Sequence, residues 1–308
     1  FGFIFYFFQY LKPATDPIIS SLQHEAHIVA QFIHCLAQGK VGSGFDICAA
    51  FFGSQIYQRF NPNKIKNLLE KKKQDISVDD LLTYLNIPIE YLKNNDKNDE
   101  QYHWDYNVEH FNLPNNMHLM LGDVQGGSET PSMVKKVKNW YENTKDTSIW
   151  DNLAKNNLQF QQLMIQLYNI LNNNDIKYKK ILQQICHYKA SGWLTDIKVE
   201  NNDEQDLVDI LINIRQIFLA IRNGLKQLGN IANVPIEPDT QSKLLDITMD
   251  IPGVLCAGIP GAGGYDAIFA LVLSKDSINT VNHVWKQHNI HQLKVDLDLK
   301  VGLDFQDI

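Results

Sequence analysis

Lys40, Ser43 and Asp46 stand between glycines in GKVGSGFDICAAFFGSQIYQRF, residues 39–60, so a cation, a hydroxyl and a carboxylate share one short segment with Gly39, Gly42 and Gly44. Glycine weakens regular structure but accepts positive φ and close approach of the backbone to another group. The segment therefore reads as a loop built to come near a ligand. A second run, AGIPGAGGYDAIFAL at 257–271, sets Gly258, Gly261, Gly263 and Gly264 in a strand-to-strand turn beside Asp266. Backbone N–H groups freed in such a turn can form an anion-binding concavity. A third, GDVQGGSET at 122–130, leads into a helix start, where free amides and the helix dipole favour an anion. Taken singly, each of the three reads either as a tight structural turn or as a cradle for phosphate.

The common templates are not met. No segment fits GxxxxGK[ST], no protein-kinase signature set is present, and there is no HExxH. His24 and His27, three apart on the first helix, read as surface and core histidines, and Cys35, Cys48, Cys186 and Cys256 lack the paired spacing of a zinc site or a disulfide framework. A reducing compartment fits that cysteine usage. The 308 residues carry a formal charge of −7 and no basic block of nucleic-acid type; KKKQD at 71–75 reads as a solvated helix end. With 44% hydrophobic residues the chain can fill a real core, as one large domain or two ordinary ones. FGFIFYFFQYL at the start is interrupted by Gln9 and ended by Pro13, too short to span a bilayer and without the features of a secretory signal. It reads as the tail of a buried helix, and neither a membrane nor a nucleic acid is expected as a partner.

The elements that must carry the loops follow from periodicity. Residues 17–38 place Ile18, Leu22, Ala26, Val29, Ile33 and Leu36 at helical steps and deliver the chain into the first loop. DICAAFFG suits a short buried helix and SQIYQRF alternates like a strand. Residues 61–112 are rich in Asn, Lys and Asp and read poorly, with 94–101 an exposed loop. MHLMLGDV at 117–124 is an apolar strand; the helix after it has Thr130 as N-cap, Pro131 at its first position, and Met133, Val134, Val137 and Trp140 on one face. Helices cover much of 147–190 and 205–231. The remainder reads as helix SKLLDITMD, strand GVLCAGI, the glycine turn, strand YDAIFALVLS, helix SINTVNHVWKQH and strand IHQLKVDLD. The order β, helices, β, β, helix, β is the ferredoxin-like split βαβ with extra helices in its first crossover. It predicts an α+β fold with an antiparallel four-stranded sheet and helices on one face.

Three long segments together carry a resemblance: HCLAQGKVGSGFDICAAFFGSQIYQRF, LGDVQGGSETPSMVKKVKNW, and NVPIEPDTQSKLLDITMDIPGVLCAGIPGAGGYDAIFALVL. In this order they resemble the eukaryotic-type phosphomevalonate kinases of the GHMP small-molecule kinase superfamily, over most of residues 17–298 and least at 61–110 and 147–200. The resemblance implies a GHMP-kinase-like fold in which residues 1–112 are the remainder of the N-terminal domain and 113–308 the C-terminal domain. It implies transfer of the ATP γ-phosphoryl group to 5-phosphomevalonate, with Mg²⁺ accompanying the ATP, in a cytoplasmic enzyme, a peroxisomal location being the alternative. Lys40 and Asp46 inherit the catalytic place. Gly42, Ser43, Gly44, Gly261, Ala262, Gly263, Gly264 and Asp266 inherit phosphate or substrate binding, with Ser128 and Thr130 as a third wall, and no residue is assigned as a direct metal ligand. Phosphoryl transfer rests on positioning and electrostatic stabilisation. The acceptor is a phosphate whose second pKa of about 6 leaves it largely deprotonated, so Asp46 is expected to orient or to face Mg²⁺ rather than to take a proton.

The sequence departs from the family in two places. The superfamily's Gly-Leu-Gly-Ser-Ser-Ala type ATP loop and the strands before it, expected ahead of the helix that ends near residue 39, are not found, and Asn230 stands where an acidic residue is expected. The chain is therefore expected to be an N-terminally truncated piece, inactive alone. The alternatives are a catalytically inactive GHMP-fold binding or regulatory protein and a sister small-molecule kinase; retention of Lys40 and Asp46 and the long KVGSGFD motif argue against each.

Overall fold

A computed structural model describes residues 16–70, 105–114, 116–173 and 175–295. The opening apolar segment, KKKQD at 71–75, the loop at 94–101 and the strand residues beyond 295 lie outside the described residues. Two compact units divide the chain between Asn112 and Leu113.

In the first unit, α1 (Asp16–Gln38) leads through the glycine loop to α2 (Phe45–Phe52) and β1 (Gln55–Gln58). Two further elements, α3 (Asn63–Glu70) and β2 (Asn107–His110), lie in the stretch whose composition is least informative. β1 and β2 pair antiparallel, from Gln55 opposite His110 to Gln58 opposite Asn107. The buried side of α1 differs from the simple apolar stripe: Ala26, Ala30, Phe32 and Cys35 are buried together with His27 and Gln31, while Ile33 is exposed. Phe32, Cys35, Phe60 and Ile65 form a core against which Val41 packs. That contact anchors the glycine loop from below.

The second unit begins with β3 (His118–Asp123) and returns to its sheet only after a long helical crossover. The crossover runs α4 (Thr130–Asn143), α5 (Ser148–Asn173), α6 (Asp175–His187), a short 3-10 turn (Ala190–Gly192), α7 (Asn202–Ala232) and α8 (Asp239–Met249). It ends in β4 (Val254–Gly258), β5 (Ala267–Val272), α9 (Lys275–Gln287) and β6 (His291–Leu293). The sheet order is β4-β5-β3-β6 and every neighbouring pair is antiparallel, as the split βαβ order requires. The expected strand at 117–124 and the two around the glycine turn are present, and β6 is confined to three exposed residues among those described.

One face of this sheet carries Met120, Gly122, Ile268, Ala270 and Val272, all buried. Trp285 of α9 packs on it and donates its indole N–H to Thr248 Oγ1 of α8 at 3.0 Å. Burying a Trp removes about 150–250 Å² from water, a gain on the order of 4–6 kcal/mol before entropy is counted, and Thr248 keeps the indole nitrogen from being buried unpaired.

The expectation of helices on one face alone is corrected. Side chains alternate along a strand, so Phe269 points away from Ile268, and its ring lies 5.8 Å from that of Phe218 on α7. α7 also guards the sheet edge: Arg215 donates to the carbonyls of Val254 and Leu255 at 3.0 and 3.4 Å. A helix cation that takes up the carbonyls of an edge strand blocks further pairing there. Two details of α4 also differ from the sequence reading. Its N-cap is Glu129 rather than Thr130, with no side-chain capping bond, and Val134 is 54% exposed rather than packed. Pro131 allows the helix to start a residue early because its missing N–H is not needed in the first turn.

Candidate active site

The first glycine loop is closed at its start by the end of α1: Gly39, at φ +65°, donates to Leu36 O and Lys40 N to Cys35 O at 3.1 Å. At its far end Gly44 has φ +73° and is the N-cap of α2. A side chain there would be strained and would also run into Gln31, whose buried amide Nε2 donates to Gly44 O at 2.7 Å. Glycine is therefore required at 44 both by conformation and by space. Lys40 and Ser43 are exposed, and Ser43 Oγ accepts from Phe45 N at 3.5 Å.

Asp46 sits in the first turn of α2, where the helix dipole favours a carboxylate. Its side chain is 61% exposed, and Oδ2 lies 3.2 Å from His34 Nε2. His34 in turn contacts Gln38 at 2.7 Å. Arg59, from beyond β1, reaches back to donate to Val41 O at 3.3 Å. Beneath the loop the thiols are inert: burial pushes Cys35 up, and raises Cys48 from 9.0 to about 11, with only Gln55 bonding to the latter opposing it. His34, Gln31 and Arg59 were not singled out by sequence. The signal was present in the polar series His27, Gln31, His34, spaced four and three apart on a helix that runs into the loop.

In the second unit two of the three glycine segments meet. Ser128 Oγ accepts from Tyr265 N at 2.7 Å, joining positions 137 residues apart, and Val124 N donates to Asp266 O at 3.1 Å. Gly264, at φ +96°, has Ser128 against the place a Cβ would take. The hydroxyl of Ser128 still has its own proton to donate.

An accounting of amides sorts the turn. Gly264 N is used on Ile236 O at 2.9 Å and Gly263 N on Pro260 O at 3.4 Å, so these two glycines shape the turn. Among the described residues no backbone carbonyl accepts from Gly261 or Ala262, whose amides are left for a ligand or water. The amides of Gly126 and Gly127 are in the same position at the other segment. Asp266 is exposed beside them. Thr130 lies inside α4 with its N–H on Ser128 O, so its amide is spent. Among the described residues no group of three His, Cys, Asp or Glu could hold a metal ion.

No family model matches the chain. Individual proteins do. It is 36% identical over 272 residues to the peroxisomal phosphomevalonate kinase of Arabidopsis thaliana, covering 87% of this chain and 50% of that protein. With the phosphomevalonate kinase of Candida albicans the identity is 35% over 257 residues, covering 83% and 51%. The chain resembles the phosphomevalonate kinases. It spans about half the length of these phosphomevalonate kinases.

Solved structures share the fold. A Lin0012 protein of Listeria innocua superposes with a TM-score of 0.58 at 17% identity, covering 88% of this chain and 59% of its own. The Streptococcus pneumoniae phosphomevalonate kinase, solved in complex with phosphomevalonate and AMPPNP, gives 0.50 at 16%, covering 90% and 63%. These likenesses show a shared fold.

Proposed function

We propose that the chain belongs to the phosphomevalonate kinases and that its protein transfers the γ-phosphoryl group of ATP to 5-phosphomevalonate, giving 5-diphosphomevalonate and ADP. The observation that carries this reading is the Ser128–Tyr265 hydrogen bond, which ties GGSET and PGAGGYD into one wall with open amides at Gly126, Gly127, Gly261 and Ala262. Preorganised N–H groups of this kind suit polyanionic reactants, because they stabilise charge without reorganising as it develops.

In this reading the KVGSGFD loop supplies the rest. Lys40 offsets phosphate charge, and Gly42, Ser43 and Gly44 allow a phosphate to approach the backbone. Asp46 orients the reactants; His34 steadies its carboxylate from the side. The acceptor oxygen is already ionised near neutral pH, since a phosphate monoester loses its second proton at about pH 6. Mg²⁺ takes most of its ligands from phosphate and water. One protein carboxylate, Asp46, therefore fits its need, and the ion would supply charge neutralisation between the reacting phosphates. Ser128 can donate its hydroxyl proton to a phosphate while holding Tyr265; Thr130 contributes only its side chain.

No helix of the described residues is long and apolar enough to cross a membrane, and we assign the activity to the cytoplasm or the peroxisome, the latter because one similar relative is named for it. The test uses the product of the complete reading frame containing this chain. ADP release is followed with ATP, Mg²⁺ and either 5-phosphomevalonate or mevalonate. Turnover with 5-phosphomevalonate alone supports the proposal; turnover of mevalonate alone identifies a sister kinase, and binding of both substrates without turnover identifies a binding protein.

A further inference from the structure

NVPIEPDTQSKLLD, residues 233–246, belongs to the resemblance, yet the chemistry proposed above leaves it without a task. Its Glu237 is buried, 5% exposed, against Arg222 of α7, 6% exposed. The guanidinium holds the carboxylate through its Nε–Nη2 edge: Nη2 lies 2.6 Å from Oε1, and Nε 3.1 and 3.2 Å from Oε1 and Oε2. Ser242 Oγ donates to the same Oε1 at 3.1 Å, and Arg222 Nη1 reaches Asp246 Oδ1 at 3.0 Å. A second cation, Lys226, one helical turn along α7, pairs with Asp239 at 2.7 Å. Both ends of the segment are thus clasped to one helix.

A buried ion pair is a poor source of net stability, because desolvation offsets most of the attraction and well-packed apolar residues often do as well. Fixing a geometry is the better account. The residue adjacent to Glu237 is Ile236, whose carbonyl receives Gly264 N at 2.9 Å, and its backbone fills the space that a side chain on Gly263 would need. The line from Arg222 to Glu237, to Ile236 O, to Gly264 N ends two residues from the open amide of Ala262 and three from that of Gly261.

We propose that Arg222 and Glu237 are positioning residues for the glycine turn: their clasp fixes the Ile236 carbonyl that sets the turn, so binding of a phosphate-bearing substrate there depends on a pair that never touches it. The inference rests on the kinase reading for its substrates, but its structural half can be tested without them.

The variants are Glu237→Gln and the double Arg222→Met/Glu237→Gln, made in the product of the complete reading frame. Glu237→Gln should raise KM for ATP or 5-phosphomevalonate about tenfold and leave kcat within about threefold, as loss of preorganisation does. The double variant, which strands no charge, should regain the wild-type melting temperature while keeping the raised KM. It also serves if Glu237→Gln alone does not fold. In both, the Gly264 amide should exchange its hydrogen about tenfold faster than in wild type, with the sheet amide of Ala270 as the unchanged reference. A double variant that recovers KM together with stability makes the pair merely structural and overturns the proposal. If the wild type turns over no substrate, the kinase reading fails, and the Gly264 exchange decides the clasp alone: unchanged exchange overturns it.

Discussion

Asp46 is exposed, stands in the first turn of a helix and has a histidine 3.2 Å away, so the helix start and the imidazole orient its carboxylate. For the kinase proposed here, Asp46→Asn is expected to lower kcat by about 10²- to 10³-fold, the scale on which one well-placed charge-stabilising group acts. The wild-type rate should stay nearly flat between about pH 6.5 and 8, where a general base would impose an ionisation; steady-state rates across that range check both. Ser128→Ala removes the acceptor of Tyr265 N, which is exposed enough for water to replace it. Stability should fall by less than about 1 kcal/mol, while KM for a phosphate substrate rises several-fold, a split read from melting curves and kinetics together. Cys48 gives a pH signature. Its folded value is raised from 9.0 to about 11, so the unfolded thiol ionises first as pH rises. The stability it contributes is complete below pH 9 and is lost between 9 and 11. Urea midpoints should fall across that window, and less steeply in Cys48→Ala.

At the scale of elements, Gly122 shows how a small residue sets a helix on a sheet. A Cβ there would stand 2.6 Å from Ile290 Cγ2 and 2.8 Å from the Trp285 ring. Gly122→Val should therefore cost about 1–3 kcal/mol by overpacking, measured as a shift of the denaturant midpoint at unchanged slope. The second unit was legible because its strands are apolar runs stopped by glycine or proline and its helices are long and periodic, signals that survive without tertiary knowledge. The first unit was less so. α1 buries His27 and Gln31 where an apolar stripe reads Ile33, because this face meets α2 through a hydrogen bond to Gly44 O rather than through packing alone. The candidate residues around the glycines were visible by type and spacing. Their supports were not: Arg222, Glu237 and His34 act through partners far away in sequence or through geometry that periodicity does not encode. The sorting of the turn into shaping glycines, Gly263 and Gly264, and open amides, Gly261 and Ala262, likewise required knowing where each N–H goes.

At the scale of the whole molecule, the proposed kinase must gather two phosphate-bearing reactants. Phosphoryl transfer demands that donor, acceptor and stabilising groups come within a few ångström of the same atoms. The most direct measurement is the broadening of backbone amide signals by Mn²⁺·ATP in the product of the complete reading frame, saturated with 5-phosphomevalonate. The amides of Gly126, Gly127, Gly261 and Ala262 are expected to broaden together, all lying within roughly 15 Å of the ion, the reach of a nucleotide and its acceptor in a pocket of ordinary size. Broadening of the Gly126 and Gly127 amides without those of Gly261 and Ala262, or of none of the four, would contradict the kinase reading.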